Sequence, residues 1–188
     1  MLGLSLSQSG LSSSSIYERV PLVSYTSDFS SSVDGFQAYD AIGDAVDTNA
    51  TLTPNVDFGG KTDVLKITWS STEPDGFFYL RKSFPDLDDQ DGTVNFFTFS
   101  AEIYYDFTTS GDVTTLVQAG HIASGNNTIV PNTDVQQERW VTISQDKLFD
   151  SETFNEYLYI GFLDAADKPQ SGDEMYITNI SFTFQDIG

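Results

Sequence analysis

The chain has 188 residues, a length that suits a single domain with or without an extension. Its 28 acidic and 8 basic residues give a net charge of −20, which repels nucleic acid and anionic membranes, so we expect neither as a partner. The absence of cysteine excludes disulfides and thiol catalysis, while 15 Phe and 9 Tyr supply enough apolar surface for a core.

The first 21 residues differ in composition from the rest and are predicted to form an N-terminal arm. Leucines alternate with small residues at Leu2, Leu4 and Leu6, a serine run follows, and the first charge is Glu18. The arm lacks the basic start and unbroken apolar stretch of a signal peptide, and it is too polar to order by itself. We therefore expect a neighbouring chain or the domain to hold it. The expected contact residues are Leu2, Leu4, Leu6, Leu11 and Ile16.

Residues 22–188 read as one all-β domain. Short runs of β-branched and aromatic residues recur between Gly, Asp, Asn and Pro, with almost no helical periodicity, which predicts an antiparallel β-sandwich of the jelly-roll type. The segment 145–154 is a weak helical candidate that we interpret as a loop with one turn. The predicted strands are residues 23–29, 36–41, 51–56, 64–70, 76–84, 95–107, 114–121, 128–131, 140–144, 158–163 and 176–184.

Two of these strands show a strict alternation of apolar and polar side chains. In residues 97–107 the odd positions are apolar or aromatic, whereas Glu102 and Tyr104 fall on the other face. Tyr157 and Tyr159 alternate in the same way with the leucine, isoleucine and phenylalanine around them. Both strands are therefore predicted to have one buried face and one polar face that carries tyrosines.

Six short segments carry a family resemblance. They are DFSSSVDGF (28–36), LKIT (65–68), YLRKSF (79–84), FTFSAEIYY (97–105), ERWVTI (138–143) and MYITNISF (175–182). In order and spacing they resemble strands of the carbohydrate-binding-module and galactose-binding-like jelly rolls, over about residues 25–184. The resemblance implies this sandwich fold, and it makes carbohydrate binding an expected activity.

The spacing and the resemblance also lead to expectations about the two tryptophans and about a structural metal ion. Trp69 alternates with Leu65 and Ile67, which predicts a core position, and the resemblance implies that Trp140 is a core tryptophan as well. The closing strand of such proteins often carries an Asp that helps to bind a structural Ca²⁺. Asn179 stands at that place in this chain, and a neutral ligand weakens a site for this hard cation.

Tyrosines and a carboxylate on polar sheet faces suggest a carbohydrate-binding surface, because sugar rings stack on aromatic rings while carboxylates accept hydrogen bonds from hydroxyl groups. The candidate residues are Glu102, Tyr104, Tyr157 and Tyr159. The alternative is that these tyrosines are buried against another subunit or a capping loop, because tyrosine is also enriched at protein interfaces.

The densest cluster of oxygen ligands is the segment DLDDQDG, residues 86–92. Its carboxylates could hold a structural Ca²⁺, and no other cofactor is expected. The alternative is a solvated hairpin loop with an Asp-Gly turn, because the segment lacks the final Glu and the flanking helices of a calcium-binding helix-loop-helix. Asp28 and Asp34 form a second candidate with the same alternative. The candidate metal ligands of the first cluster are Asp86, Asp88, Asp89 and Asp91.

The sequence offers little for catalysis, and we predict that the protein is not an enzyme. His121 is the only histidine, and no nucleophile elbow or zinc-binding histidine pair accompanies it, so we interpret it as an edge or loop residue. Glu102 and Asp106 share a strand face, but about 13 Å of strand separates them, which is too far for either glycosidase arrangement.

These observations favour the hypothesis of a non-enzymatic virion structural protein of a tailed bacteriophage. The alternative is a stand-alone secreted carbohydrate-binding module. In the first reading the protein is a capsid decoration, fibre-base or tail-associated protein, made in the host cytoplasm without a signal peptide. Its arm is anchored to capsid or tail proteins or to another copy of itself, and its outer domain contacts host glycans. The serine-rich arm, the missing cysteines, the acidic surface and the absence of catalytic residues favour this hypothesis.

Overall fold

The computed structural model describes residues 23–40, 46–72, 78–90, 94–108, 111–119, 128–150, 156–162 and 168–186. The predicted arm, with its contact residues Leu2, Leu4, Leu6, Leu11 and Ile16, lies outside the described residues, as do Asp91 and His121. The boundary between residues 21 and 22 therefore stays a prediction. No helix in these ranges is long and apolar enough to cross a membrane.

The described residues form strands and one short 3₁₀-helix, Pro85–Gln90. The strands are β1 (Val23–Thr26), β2 (Gln37–Asp40), β3 (Ala50–Phe58), β4 (Lys61–Trp69), β5 (Phe78–Ser83), β6 (Val94–Asp106), β7 (Val113–Ala119), β8 (Thr128–Val135), β9 (Val141–Asp150), β10 (Tyr157–Phe162) and β11 (Glu174–Asp186). Each of them overlaps one of the strands predicted from the sequence.

The strands form two antiparallel sheets. Sheet A has the order β3-β4-β11-β6-β9, and β1 also pairs with β11; sheet B has the order β2-β5-β10-β7-β8. A register shift in β11 between Thr178 and Ser181 separates its pairing with β4 from its pairing with β1. Asn179 adopts a left-handed conformation there, which asparagine tolerates better than most residues. The prediction of an antiparallel β-sandwich is confirmed.

The core lies between the two sheets and follows the alternation of the strands. Phe97, Ile103 and Tyr105 of β6 face inward and are buried, as the sequence predicted. Trp69 is only 1% exposed, and its ring lies 4.9 Å from that of Phe78 in the opposite sheet, so its predicted core position is confirmed. Burying a large apolar side chain contributes roughly 1.5–3 kcal/mol, so this layer holds the sheets together.

Two local predictions are wrong. The segment expected to loop from residue 145 continues as β9 to Asp150, because it pairs with β6 without a break over Val94–Ile103. The sequence hides this strand, since residues 144–148 are polar or exposed on both faces. The acidic segment expected to be a hairpin loop instead contains the 3₁₀-helix, which the fully buried side chain of Leu87 ties to the core.

Candidate functional site

The outer face of sheet B carries a continuous row of polar and aromatic side chains. One register line crosses all five strands, from Gln37 through Arg81, Tyr159 and Gln118 to Thr128. Because neighbouring strands lie about 4.8 Å apart, this row is roughly 19 Å long. The inward residues of the same strands belong to the core, so the row is the outer surface of the sheet.

Arg81 is the centre of this face. Its guanidinium carbon lies 3.5 Å from the ring centroid of Tyr39 and 4.1 Å from that of Tyr157, so two aromatic rings hold the cation. The ring of Tyr159 lies 6.0 Å from Tyr157 and 5.9 Å from Tyr79. These five residues are called the tyrosine–arginine cluster. They form one aromatic cluster around a planar guanidinium group, in which Tyr39, Tyr79 and Tyr159 are buried.

Two polar atoms on this face are buried without a hydrogen-bond partner among the described residues. They are the hydroxyl oxygen of Tyr79 and the side-chain oxygen of Gln118. The amide nitrogen of Gln118 donates to the Thr128 hydroxyl at 3.2 Å, which leaves its Oε1 available as an acceptor. An unsatisfied buried polar group costs about 1–3 kcal/mol, so such atoms call for a functional explanation.

The protonation state of Tyr79 suits a hydrogen-bonding role. Burial raises the pKa of its hydroxyl to about 12, and the neighbouring Tyr159 adds to the shift. The hydroxyl therefore remains protonated at neutral pH, and it can both donate a hydrogen bond and accept one. Together with Oε1 of Gln118, it gives this face two buried polar atoms that have no partner among the described residues.

The face is exposed at its β2 side and buried further in. Gln37 is exposed, Arg81 and Tyr157 are half-buried, and Tyr159 is only 3% exposed. A hydrogen bond with Glu156 raises the pKa of Tyr157 and places a carboxylate beside this accessible part. The accessible part of the face is therefore its β2 side, and the two unpartnered polar atoms lie in the buried part.

Gly161 lies on the outer face between its register neighbours Tyr79 and Leu116, where the backbone of β5 comes very close. A Cβ atom at this position would overlap the carbonyl oxygen of Phe78 and lie 2.9 Å from its carbonyl carbon. The close approach of the β5 backbone therefore requires glycine, and no side chain can fill the floor of the face here.

Of the four predicted sugar-binding residues, Tyr157 and Tyr159 lie on this face, whereas Glu102 and Tyr104 lie on the outer face of sheet A. The carboxylate of Glu102 accepts hydrogen bonds from Lys61 Nζ, at 2.8 Å, and from the side-chain amide of Asn179. The contact with Lys61 lowers the pKa of Glu102, so this carboxylate is ionised and already has partners.

Tyr104 belongs to a compact aromatic group on sheet A. Its ring contacts Phe58 at 4.9 Å, Trp140 at 5.8 Å and Tyr176 at 5.9 Å, while Phe58 and Tyr176 stack with their centroids 3.7 Å apart. These rings pack mainly against one another and fasten the β3–β4 hairpin to the sheet. The group therefore resembles a small second core more than an open stacking surface.

The predicted core position of Trp140 is wrong. Trp140 is half-buried on the outer face of sheet A, where its ring packs against Phe58 and the backbone of Gly59. A Cβ at Gly59 would come within 2.5 Å of the indole nitrogen, so the glycine of the hairpin turn makes room for the ring. Sequence alternation alone could not reveal that the β3–β4 hairpin would partly cover Trp140 on the outer face of the sheet.

The structure describes only part of the predicted metal-binding segment. Asp86 is exposed, the 3₁₀-helix contains Asp88 and Asp89, and Asp91 lies outside the described ranges. Within the described ranges, no group of three or more His, Cys, Asp or Glu side chains is placed to hold a metal ion. Calcium binding by the acidic segment stays a prediction.

The second acidic candidate is occupied by the protein itself. The hydroxyl of Tyr25 and the backbone N–H of Asp28 both donate to the carboxylate of Asp34. The ammonium of Lys82 donates to the main-chain oxygen of Asp34 and lies 3.5 Å from its carboxylate. This lysine supplies the positive charge that a cation would bring, so Asp34 serves to tie β1 to β5.

Sequence reasoning missed Tyr39, Tyr79, Arg81 and Gln118. A signal was present for two of them, because Tyr79 and Arg81 alternate with Phe78 and Leu80 in β5. The strands that carry the four residues are far apart in the chain, and only the strand order of sheet B brings them together.

The fold has counterparts among solved structures. The CBM22-1 xylan-binding domain of Paenibacillus barcinonensis Xyn10C matches with a TM-score of 0.52 and 14% identity, over 90% of this chain and 97% of that domain. The C-terminal family 22 carbohydrate-binding module of Clostridium thermocellum Xyn10B matches with a TM-score of 0.52 and 15% identity, over 85% and 92% of the two chains. An arabinose-bound GH51 α-L-arabinofuranosidase matches with a TM-score of 0.55 and 12% identity, over 87% of this chain and 25% of the enzyme.

These similarities establish that the chain has the β-sandwich fold of carbohydrate-binding modules. In the comparison with protein-family models no model matches the sequence, and the comparison with curated proteins gives no match either.

Proposed function

We propose that this protein binds a glycan on the outer face of sheet B, through the tyrosine–arginine cluster. The observation that carries the proposal is the pair of buried, unpartnered polar atoms, Tyr79 hydroxyl and Gln118 Oε1, within an aromatic face. The fold that the chain shares with a xylan-binding domain supports it. A ligand with apolar ring faces and many hydroxyl groups satisfies both features of the face.

The geometry favours an oligosaccharide over a single sugar. The row from Gln37 to Thr128 crosses five strands, a span that several linked sugars match better than one, and both of its end residues are at least partly accessible. Tyr157 offers a partly exposed ring for stacking, and the guanidinium group of Arg81 is held between two rings. Because these rings already hold the Arg81 side chain, binding need not order it.

The proposed activity is binding without turnover. Two of the similar structures are named as binding modules, and the arabinofuranosidase match spans only a quarter of that enzyme. Within the described residues, the predicted site carboxylate Glu102 is held by Lys61 and Asn179 on the sheet opposite to the cluster.

Replacing Tyr157 with alanine is expected to weaken glycan binding about fivefold, equivalent to roughly 1 kcal/mol, because a stacking ring is lost and Arg81 loses one of its supports. Isothermal titration with xylohexaose, preceded by affinity electrophoresis over a panel of neutral and acidic polysaccharides, measures the change. Tyr104→Ala is the matched control, since it removes a half-buried tyrosine from the opposite sheet. Equal losses in both variants, or no binding to any glycan of the panel, would contradict the proposed site.

We further propose that the glycan-binding domain is part of a virion structural protein, anchored by the arm residues Leu2, Leu4 and Leu6 to capsid or tail proteins. The support is compositional: the first 17 residues carry no charge in a chain with a net charge of −20, so the arm can approach an acidic particle surface without repulsion. The alternative is a stand-alone secreted carbohydrate-binding module.

Deleting residues 1–20 distinguishes the virion structural protein from the stand-alone secreted module. We expect the shortened protein to be missing from particles purified from the producing cells, while its glycan affinity remains within twofold of the full chain. The full chain, expressed in parallel from the same promoter, is the reference for occupancy. Full incorporation of the shortened protein would rule out anchoring by the arm.

A further inference from the structure

The edge strands of the two sheets differ in how they are protected against pairing with another chain. Strands β3 and β8 each contain a proline, Pro54 and Pro131, and each shows two register shifts against its neighbour. Strands β1 and β2 have only four residues. These are the devices by which sheet edges avoid association. Strand β9 has ten residues, no proline, no glycine and no register shift against β6.

One side of β9 faces away from β6 and presents its peptide groups. The side-chain amide of Gln145 donates to the main-chain oxygen of Asp146 at 2.8 Å, which identifies Asp146 as a residue whose carbonyl points to the free side. Because antiparallel ladders alternate, the peptide groups of Thr142, Ser144 and Leu148 point the same way. Apart from the Gln145 contact, no hydrogen bond to these groups is found within the described ranges.

The middle of β9 is exposed on both faces. Residues 144–148 are all exposed, although Gln145 and Lys147 lie on the side of the strand that carries the buried Ile143. Leu148 is 53% exposed, one of two large apolar side chains with such exposure in the described residues. The strand therefore projects past the core as an accessible edge with an uncovered leucine.

We propose that β9 pairs with β9 of a second copy of this chain, antiparallel about a two-fold axis, so that the two sheets A become continuous. In the register that places Gln145 opposite itself, Leu148 lies opposite Thr142, and Asp146 lies opposite Ser144. Neither Asp146 nor Lys147 then faces its own counterpart directly. Shifting to the registers centred on Asp146 or Lys147 puts like charges opposite each other, which is destabilising.

A symmetric pair of β9 strands matches the free peptide groups and the exposed leucine of this edge. The two-fold axis lets one strand satisfy the free peptide groups of the other and cover both copies of Leu148. It also leaves sheet B untouched, because β9 belongs to sheet A. A dimer built this way presents two outer faces of sheet B, so it would bind a multivalent glycan surface with avidity if the proposed function holds. The pairing itself does not depend on that function.

Sedimentation velocity of the full chain over a concentration series tests the pairing. We expect a monomer–dimer equilibrium whose dissociation constant rises at least tenfold in Ser144→Pro, because proline removes a donor on the free side and none that serves β6. Leu148→Lys is expected to weaken the dimer as well, whereas Val46→Lys, at a residue 54% exposed on the other sheet, should leave it unchanged.

A second experiment uses the absence of cysteine from the chain. Gln145→Cys is expected to form a disulfide-linked dimer on mild oxidation, because residues opposite each other at the axis bring their Cα atoms within disulfide range. Thr142→Cys is the control, since the proposed register separates its two copies by about 20 Å along the strands. A monomer at every concentration would overturn the proposal. A dimer that Leu4→Lys abolishes would also overturn it, because the N-terminal arm, and not β9 of the second copy, would then be the segment that pairs with the β9 edge.

Discussion

Replacing Gly161 with alanine is expected to lower the free energy of unfolding by about 3 kcal/mol, at the upper end of what an overpacked site costs. The added methyl group would collide with the backbone of β5, where Phe78 and Tyr79 lie within 3.0 Å of the Cβ position. A backbone cannot rotate away as a side chain can, so β5 must separate from β10. Because these two strands carry most of the tyrosine–arginine cluster, glycan binding should be lost together with stability.

Urea unfolding followed by tryptophan fluorescence measures this loss. Gly111→Ala is the control, because Gly111 has a positive φ but open space around its Cβ position. It should show only the backbone cost of an alanine at positive φ, about 1–2 kcal/mol. If Gly161→Ala were no more destabilising than Gly111→Ala, that result would contradict the close contact between the β5 backbone and Gly161.

Replacing Tyr79 with phenylalanine is expected to raise the free energy of unfolding by about 1 kcal/mol and to weaken glycan binding about tenfold. The hydroxyl is fully buried and has no hydrogen-bond partner among the described residues, so its removal relieves a desolvation cost in the free protein. In the complex the same hydroxyl is proposed to bond the ligand, so its removal then costs affinity. The opposite signs distinguish a binding residue from a purely structural one.

Tyr105→Phe is the matched control for this prediction. The hydroxyl of Tyr105 is also buried, but it shares a hydrogen bond of 2.8 Å with Thr115 in the core. Its removal should therefore lower the free energy of unfolding by about 1 kcal/mol, and glycan affinity should stay within twofold of the unmodified protein. Calorimetric titration and urea unfolding of both variants provide the four values. A destabilised Tyr79→Phe with unchanged affinity would refute the proposed role of this hydroxyl.

A binding role for the tyrosine–arginine cluster would explain why the Tyr79 hydroxyl and Gln118 Oε1 are buried without hydrogen-bond partners. A sheet face optimised for stability alone would carry phenylalanine in place of Tyr79 and an apolar residue in place of Gln118. Natural proteins depart from such local rules mainly where a site needs them. The unsatisfied atoms of sheet B and the unprotected edge of β9 are two departures of this kind, and each predicts a partner of different chemistry.

The sequence by itself determined the strands and their buried faces. Alternation placed Phe97, Ile103 and Tyr105 in the core, and Tyr104 and the tyrosines of β10 on the outer faces, because the side-chain period of a strand does not depend on its neighbours. Alternation failed in β9, where an edge strand that projects past the core no longer needs apolar residues on one side.

Only the tertiary structure decided which outward side chains meet. Tyr104 and Tyr159 have the same local pattern, yet β6 lies in sheet A and β10 in sheet B, so the two tyrosines occupy opposite outer faces. Strand order likewise joined Arg81 to Tyr39 and Tyr157, and the β3–β4 hairpin kept Trp140 out of the core. Pairing between distant strands depends on the summed fit of whole surfaces, and no short stretch of sequence contains that information.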